Sequence, residues 1–161
     1  MLQGEIGADD PMAEDVQELL GRHLAFAHTH SPRQDVHALP AESLLDPAVT
    51  FFSYRSGGEL LGVGALKQLD GSQGELKSMH TAEAARGQGI GRAMLVHLIG
   101  VARARGLRRV SLETGTMAAF APARALYASA GFQPCEPFAG YFLSPNSVCM
   151  TLPLDGAEPV A

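Results

Sequence analysis

Apolar and polar residues alternate along several short runs of this chain and recur at helical spacing along longer ones. Over 13–27 the apolar residues fall on one side of a helix, which Ser31-Pro32 ends. Residues 41–45 are predicted to form one short helical turn. The same patterns predict strands at 2–6, 49–55, 59–69, 75–81, 108–114, 133–136 and 147–152, and helices at 92–105 and 122–130.

A glycine-rich turn, Arg-Gly-Gln-Gly-Ile-Gly at 86–91, lies between the strand at 75–81 and the helix at 92–105. A turn that opens a helix exposes free backbone N–H groups, and the helix dipole adds partial positive charge there. Glycine also lets a ligand approach the backbone closely, because no Cβ stands in the way. The sequence therefore predicts a site for a nucleotide-like diphosphate at 86–92.

Two familiar phosphate-binding motifs do not match this turn. The dinucleotide fingerprint requires G-x-G-x-x-G, whereas the spacing here is Gly87-x-Gly89-x-Gly91. The ATP-binding P-loop requires a Gly-Lys-Ser/Thr end, and no such triplet occurs in the chain. An ordinary glycine-bearing loop remains the alternative for a motif this short.

The turn and a second motif together resemble the GNAT N-acetyltransferase family. Arg86-x-x-Gly89-x-Gly91 resembles the signature that holds the pyrophosphate of acetyl-CoA in that family. Further along, residues 123–132 resemble the family's A-x-x-L-Y-x-x-x-G-F helix end. The resemblance covers 49–154 well, and residues 1–48 fit by position rather than by motif.

The resemblance implies an α+β GNAT fold in a single domain over 1–161. This fold has a mixed, mostly antiparallel sheet of about seven strands flanked by helices, and its central strand splays away from a neighbour. Residues 1–48 would line the acceptor side, 49–154 would form the core, and 155–161 would be a frayed tail.

The resemblance also implies acetyl-CoA as co-substrate, bound largely by backbone groups. The N–H of Met79 would polarise the thioester carbonyl, as an oxyanion-hole donor does. The residues carried over as cofactor-binding are Met79, His80, Thr81, Arg86, Gly87, Gln88, Gly89, Ile90, Gly91 and Arg92.

Tyr127 matches the family's tyrosine near the cofactor sulfur, which can protonate the departing thiolate. The alternative is a tyrosine that only packs. One position departs from the family pattern: an asparagine is frequent three residues before the motif alanine, and Phe120 stands there in this chain.

Glu75 is the preferred candidate for the base that leaves the acceptor amine neutral, because several family members place a carboxylate at this strand. Glu113 on the neighbouring strand is the second candidate, and a solvated or salt-bridged acid is the alternative for both. Plain strand alternation places Glu75, Lys77, Met79 and Thr81 on one face and Leu76, Ser78 and His80 on the other, and a bulge would exchange them.

The acceptor side carries fewer signals. In the family fold the loop after the first helix borders the acceptor pocket, so Ser31, Arg33 and His37 are candidate contacts, and Arg33 would favour an acceptor with a carboxylate. Tyr141 and Asn146, in a late loop, are candidates from the other side or simply turn residues. His28, His30 and His37 form only a weak metal pattern, and no metal is predicted.

Composition excludes several function classes. The formal net charge is −5 over 161 residues, which argues against nucleic-acid binding. No apolar run is long enough for a membrane span and no secretory signal is visible, so we expect a cytoplasmic protein. Cys135 and Cys149 fit no zinc or C-x-x-C pattern and are expected to be reduced thiols.

The sequence thus predicts an N-acetyltransferase that acts on the primary amine of a small molecule by direct attack. One alternative is an acyl-CoA-binding module that senses or interacts without turnover. Another is acetylation of a peptide or protein amine. Family members often form homodimers, and the sequence specifies no interface.

Overall fold

The structure is a computed structural model that describes residues 4–31 and 40–154. The described chain contains seven strands and three α-helices. The strands are β1 (Glu5–Ala8), β2 (Val49–Ser56), β3 (Glu59–Gln68), β4 (Gln73–Thr81), β5 (Arg109–Gly115), β6 (Gln133–Cys135) and β7 (Ser147–Pro153). The helices are α1 (Glu14–His30), α2 (Ile90–Ala104) and α3 (Ala121–Ser129), with short 3₁₀ turns at Ala41–Leu45, Glu83–Ala85 and Ala118–Phe120.

All seven strands join one sheet in the order β1-β2-β3-β4-β5-β7-β6. Neighbouring strands are antiparallel except β4 and β5, which are parallel. This arrangement confirms the mixed, mostly antiparallel α+β sheet of the GNAT fold.

The central pair of strands separates soon after it forms. β4 pairs with β5 only from Gln73–Arg109 to Glu75–Ser111. Beyond this point β4 continues to Thr81 beside β3, and β5 continues beside β7. The strands therefore splay, as predicted, and open a gap in the middle of the sheet.

A β-bulge interrupts β4 inside this gap. Between Lys77 and His80 the strand advances three residues while β3 advances two, so that Ser78 and Met79 share one position of the ladder. Ser78 has a φ of 56°, in the left-handed region that non-glycine residues rarely adopt.

The bulge corrects the face assignment that plain alternation gives. Alternation predicts that Met79 and Thr81 share a face with Glu75. Beyond the bulge His80 instead lies on the face of Glu75 and Lys77, and Thr81 lies on the opposite face. The assignment was wrong because a single extra residue inverts a pattern of period two.

Each face of the sheet carries its own core. On one face α1 buries Val16, Leu19 and Leu20 with Phe51 and Val63 of the sheet. On the other face α2 packs its apolar side over the sheet, together with residues of α3; the buried α2 residues are Ile90, Met94, Leu95, Leu98, Ile99 and Ala102. Because Val63 is the register partner of His80, the α1 face is also the face of Glu75, Lys77 and His80.

Most element boundaries lie within a few residues of the prediction. Helix α1 runs to His30, three residues past the end of the apolar pattern at 27, because residues 28–30 are exposed and give no apolar signal. It is capped by Ser31, where the Ser31-Pro32 pair was predicted to end it. Helix α2 begins at Ile90 instead of Arg92, directly after Gly89. No helix in the described residues has the length and apolarity to cross a membrane.

Candidate active site

The gap between β4 and β5 widens into a cleft of about 570 Å³. Residues from every layer around the gap line it: α1, the β4 edge, the glycine turn, β5, the turn before α3, α3 itself and the loop that follows β6. The cleft thus brings together residues that the sequence analysis placed on separate elements.

The glycine turn forms one end of the cleft. Arg86, Gly87, Gly89, Ile90 and Gly91 line it, and the N-terminus of the 15-residue helix α2 opens beside them. Gly87 and Gly89 have φ values of 79° and 84°, and a Cβ on either would meet no atom within 4 Å. Glycine is therefore required here for the left-handed backbone and not for want of space.

Two residues predicted for this end lie outside the cleft lining. The side chain of Gln88 donates to the carbonyl of Ala84 at 3.4 Å. That of Arg92 donates to the hydroxyl of Ser129 at 3.1 Å. Both side chains therefore make hydrogen bonds within the protein and do not line the cleft.

The β4 edge forms the wall between the two ends. Met79, His80 and Thr81 all line the cleft. Within the described residues, β4 has no ladder partner on the β5 side after Glu75. Backbone groups along this edge are consequently placed to pair with an extended ligand, as an added strand would.

Tyr127 reaches the cleft from α3. The helix ends at Ser129, Gly131 follows with a positive φ of 101°, and the N–H of Phe132 donates to the Tyr127 carbonyl at 3.1 Å, which closes the last turn. The rings of Tyr127 and Phe132 pack at 5.9 Å between centroids. The hydrogen bond and the ring contact between two residues of this motif therefore hold the tyrosine against the core.

Burial, and after it the negative charge of Glu113, raises the pKa of Tyr127 to about 12. The hydroxyl consequently keeps its proton throughout the neutral range. A protonated phenol can donate a hydrogen bond or a proton.

Glu75 lies behind the cleft and does not line it. Only 3% of this residue is exposed. Its Oε2 atom accepts hydrogen bonds from Lys77 at 3.1 Å and from the Tyr141 hydroxyl. Lys77 also donates to the Tyr141 oxygen at 3.0 Å, which closes a buried cluster of three polar side chains. Burial and then the charge of Glu75 raise the pKa of Tyr141 far above its usual range.

Glu113 faces the cleft directly. It follows Ser111, the register partner of Glu75, by two residues and so lies on the α1 face of the sheet. Its charge contributes, after burial, to the raised pKa of both Tyr127 and Tyr141. Glu113 is therefore near both tyrosine hydroxyls.

A group of aromatic side chains on the α1 face was not found from the sequence. The Nδ1 atoms of His23 and His80 lie 3.1 Å apart, so that one ring donates to the other. Phe26 packs against Phe120 with 5.3 Å between centroids. The one signal for this group in the sequence was the helical spacing of His23 and Phe26, which places them on the same side of α1. That spacing could not show that they contact His80, because the bulge in β4 determines on which face of the sheet His80 lies.

The remaining predicted acceptor contacts divide into three groups. Ser31 and Tyr141 line the cleft. Asn146 lies in the loop before β7, where its carbonyl accepts from the N–H of Thr116 at 3.1 Å, and it is outside the lining. Arg33 and His37 lie outside the described residues. Among the described residues, no three His, Cys, Asp or Glu side chains are arranged to hold a metal ion.

The sequence and the fold both match known acetyltransferases. A sequence model described as the acetyltransferase (GNAT) family matches residues 13–132. An uncharacterized N-acetyltransferase of Bacillus subtilis (strain 168), YsnE, is 49% identical over 91% of this chain and 97% of its own length.

Two solved structures extend the match to three dimensions. One from Klebsiella pneumoniae, described as an acyl-CoA N-acyltransferase, has a TM-score of 0.77 and 31% identity, and the alignment covers 94% of this chain and 98% of that one. A GNAT family acetyltransferase from Elizabethkingia anophelis with acetyl-CoA bound has a TM-score of 0.69 and 18% identity, with 94% and 98% covered.

Proposed function

Since this chain belongs to the GNAT family of acetyltransferases and is an N-acetyltransferase, we propose that it transfers the acetyl group of acetyl-CoA to the primary amine of a small molecule. The observation that carries the proposal is that the unpaired edge of β4, the glycine turn and Tyr127 all open into one cleft. A diphosphate and an extended acyl-bearing arm need this combination.

The donor side is proposed to hold acetyl-CoA mainly through the backbone. The free N–H groups at the start of α2 and the left-handed Gly87 and Gly89 would bind the pyrophosphate. The edge at Met79, His80 and Thr81 would pair with the amide groups of the pantetheine arm. The fold neighbour that holds acetyl-CoA supports this cofactor. Gln88 and Arg92 would contribute backbone or flanking charge rather than cleft contacts.

Transfer then requires two proton movements. The amine nitrogen attacks the thioester carbon, its new N–C bond replaces the C–S bond, and the amine loses a proton while the sulfur gains one. The N–H of Met79 would stabilise the developing oxyanion. Tyr127, which keeps its proton in the neutral range, would protonate the thiolate.

Two carboxylates compete for the amine proton, and their surroundings favour different roles. Glu113 lines the cleft and would contact the amine. Glu75 reaches the cleft only through Tyr141 and Lys77, so we propose that it orients Tyr141, whose hydroxyl it accepts from. A base must come within hydrogen-bond reach of the proton that it takes, and this geometric condition favours Glu113.

Compartment and assembly are finer points of the proposal. Cys135 and Cys149 are register partners on β6 and β7, and both are free thiols. We propose the cytoplasm as the compartment of the reaction, where both thiols would be kept reduced. A homodimer is retained as a family expectation only.

Thermal unfolding with and without acetyl-CoA tests the donor site, with NAD and ATP as controls. Acetyl-CoA at 100 times its dissociation constant should add about 2.7 kcal/mol of stability, a shift of several degrees. Amine-dependent release of free thiol then tests turnover. A shift with acetyl-CoA but no turnover with any amine would favour a sensor, and turnover with peptide amines alone would favour the peptide alternative. No shift at saturating acetyl-CoA would overturn the proposal.

A further inference from the structure

The acceptor end of the cleft carries an aromatic surface whose side chains have no predicted role, since His80 is predicted to contact the cofactor through its backbone. We propose that the acceptor is a monoamine with an aromatic or apolar body, which packs on an uncharged wall formed by His23, Phe26, His80 and Phe120. The inference rests on the proposed function and narrows its acceptor from small amines in general to those that carry a single charge.

The four rings of the wall form one connected surface in the lining of the cleft. His23 and His80 stand edge to face at 5.0 Å between centroids. Phe26 connects this pair to Phe120. Its ring centroid lies 6.4 Å from that of His80 and 5.3 Å from that of Phe120. All four residues line the cleft.

Phe120 belongs to the wall because β5 gives it room. A Cβ on Gly115 would collide with the Phe120 ring, so the ring occupies the space directly over this glycine. Gly115 follows Glu113 by two residues and therefore shares the α1 face with it. The wall and the proposed base are thus on the same side of the sheet.

The histidines add no positive charge to the wall in the neutral range. Burial lowers the pKa of His23 to about 4. Burial, and then repulsion from His23, Arg86 and Arg22, lowers the pKa of His80 to about 3. The cations that face His80 from neighbouring elements also make this region unfavourable for a further positive charge.

The charges around the cleft suit one ammonium group and not two. Among the described residues that line the cleft, Glu113 is the one carboxylate. Glu75 accepts from Lys77 and Tyr141 and lies behind them. A second ammonium on the acceptor would lose its hydration against the wall without gaining a countercharge, which disfavours its binding in an apolar site. A hydrocarbon or aromatic body would instead gain from burial there.

A matched panel of amines tests the inference on the full-length protein. Butylamine and putrescine have the same carbon chain and differ in the second ammonium, and 2-phenylethylamine adds an aromatic ring. We expect kcat/KM for butylamine to exceed that for putrescine at least about tenfold, with 2-phenylethylamine highest. Calorimetric titration of the CoA-bound protein with each amine should give the same order of affinity.

Two substitutions on the wall sharpen the test. Phe26→Ala should lower the ratio of 2-phenylethylamine to butylamine activity about fivefold or more, because it removes the ring against which the acceptor packs. Phe26→Glu should raise the ratio of putrescine to butylamine activity about tenfold, because the second ammonium gains a carboxylate. Val96→Ala, on the exposed side of α2, is the control for substitution as such, since Val96 is 64% exposed.

Each outcome decides. The expected order with both shifted ratios supports the monoamine wall. Putrescine used as well as butylamine, an unchanged ratio in Phe26→Glu, or failure of all three amines to bind or react while acetyl-CoA binds would overturn it. Failure of acetyl-CoA itself to bind would overturn the proposed function instead. The melting temperature and the acetyl-CoA affinity of each variant show whether a changed activity ratio results from unfolding of the protein.

Discussion

The proposed donor and acceptor sides of the cleft are built in different ways. The donor side comes from one continuous stretch, β4 through α2, and it offers mainly backbone groups. The acceptor side is assembled from α1, β5, the turn before α3 and the loop after β6, and it offers side chains. Backbone recognition demands glycines at fixed spacing and so leaves a readable motif, whereas side-chain recognition depends on which distant elements meet.

The largest expected effect comes from placing a charge in the backbone-built side. Gly89→Asp sets a carboxylate beside the proposed pyrophosphate, and like charges about 4 Å apart near a surface repel by about 4 kcal/mol, or about 1000-fold in affinity. Calorimetry with acetyl-CoA measures this loss.

Gly89→Asn is the matched control, because asparagine has the same size, tolerates the left-handed backbone and carries no charge. It should lose less than about tenfold in affinity. Equal affinity of the two variants in folded protein would contradict the placement of the diphosphate.

The proposed roles of the two carboxylates on the acceptor side can be distinguished by substituting each of them in turn. Glu75→Gln leaves Lys77 buried without its countercharge and should cost about 3 kcal/mol of unfolding free energy, because breaking a buried pair strands the other ion. Urea denaturation measures this loss. Glu113→Gln should instead lower kcat/KM about 100-fold with a smaller change in stability. The reverse pattern would restore Glu75 as the contacting base.

Tyr127 is a side chain that a sequence motif does predict. Its substitution tests whether the motif contributes to catalysis or only to packing. Tyr127→Phe should lower kcat about 100-fold and leave the affinity for acetyl-CoA within about twofold. Since burial raises the pKa of this tyrosine to about 12, its titration should cause no loss of the wild-type rate up to about pH 10. A thiol-release assay across pH measures both, and an unchanged rate in the variant would leave Tyr127 a packing residue.

Ser78 lies where the two sides meet, and its backbone is strained. Ser78→Gly removes the penalty of the positive φ and also a buried hydroxyl without a partner in the described residues. The gain should be about 1 kcal/mol after the entropic cost of glycine. Ser78→Ala removes the hydroxyl but keeps the strain, so it should be less stable than Ser78→Gly. Equal melting temperatures would show that the bulge relaxes at no cost.

The smallest effect concerns the neutral histidines of the acceptor side. Their folded pKa values, about 4 for His23 and about 3 for His80, lie below the unfolded value of 6.5. As pH falls below 6.5 the unfolded state takes up protons first, so stability falls, by less than about 1 kcal/mol per pH unit for each partly exposed ring. Between pH 6.5 and 5, His23→Gln should flatten the decline in melting temperature, and exposed His28→Gln should not.

The sequence predicted much of the fold because the periods were clear and the turns carried glycine or proline. The mixed, mostly antiparallel sheet and its splay were implied by the family resemblance, which rests on the motifs that contain Gly89 and Tyr127. The position of a residue relative to the cleft was not predictable where it depends on one local irregularity of the backbone or on one distant contact. The bulge at Ser78 contains no glycine, proline, asparagine or aspartate that would signal it, yet it moves His80 to the other face. Glu75 is held away from the cleft by its hydrogen bond with Tyr141, a loop residue remote in sequence.

The short pairing of β4 with β5 has a consequence for the motions of the sheet. Three residue pairs, from Gln73–Arg109 to Glu75–Ser111, join the half-sheet β1–β4 to the half-sheet β5–β7 by ladder bonds. We expect these pairs to act as a hinge and a ligand in the gap to span both halves as a substitute strand. Amide hydrogen exchange beyond the hinge, at 76–81 and 112–115, should therefore slow when acetyl-CoA is added, while exchange in β2 stays unchanged.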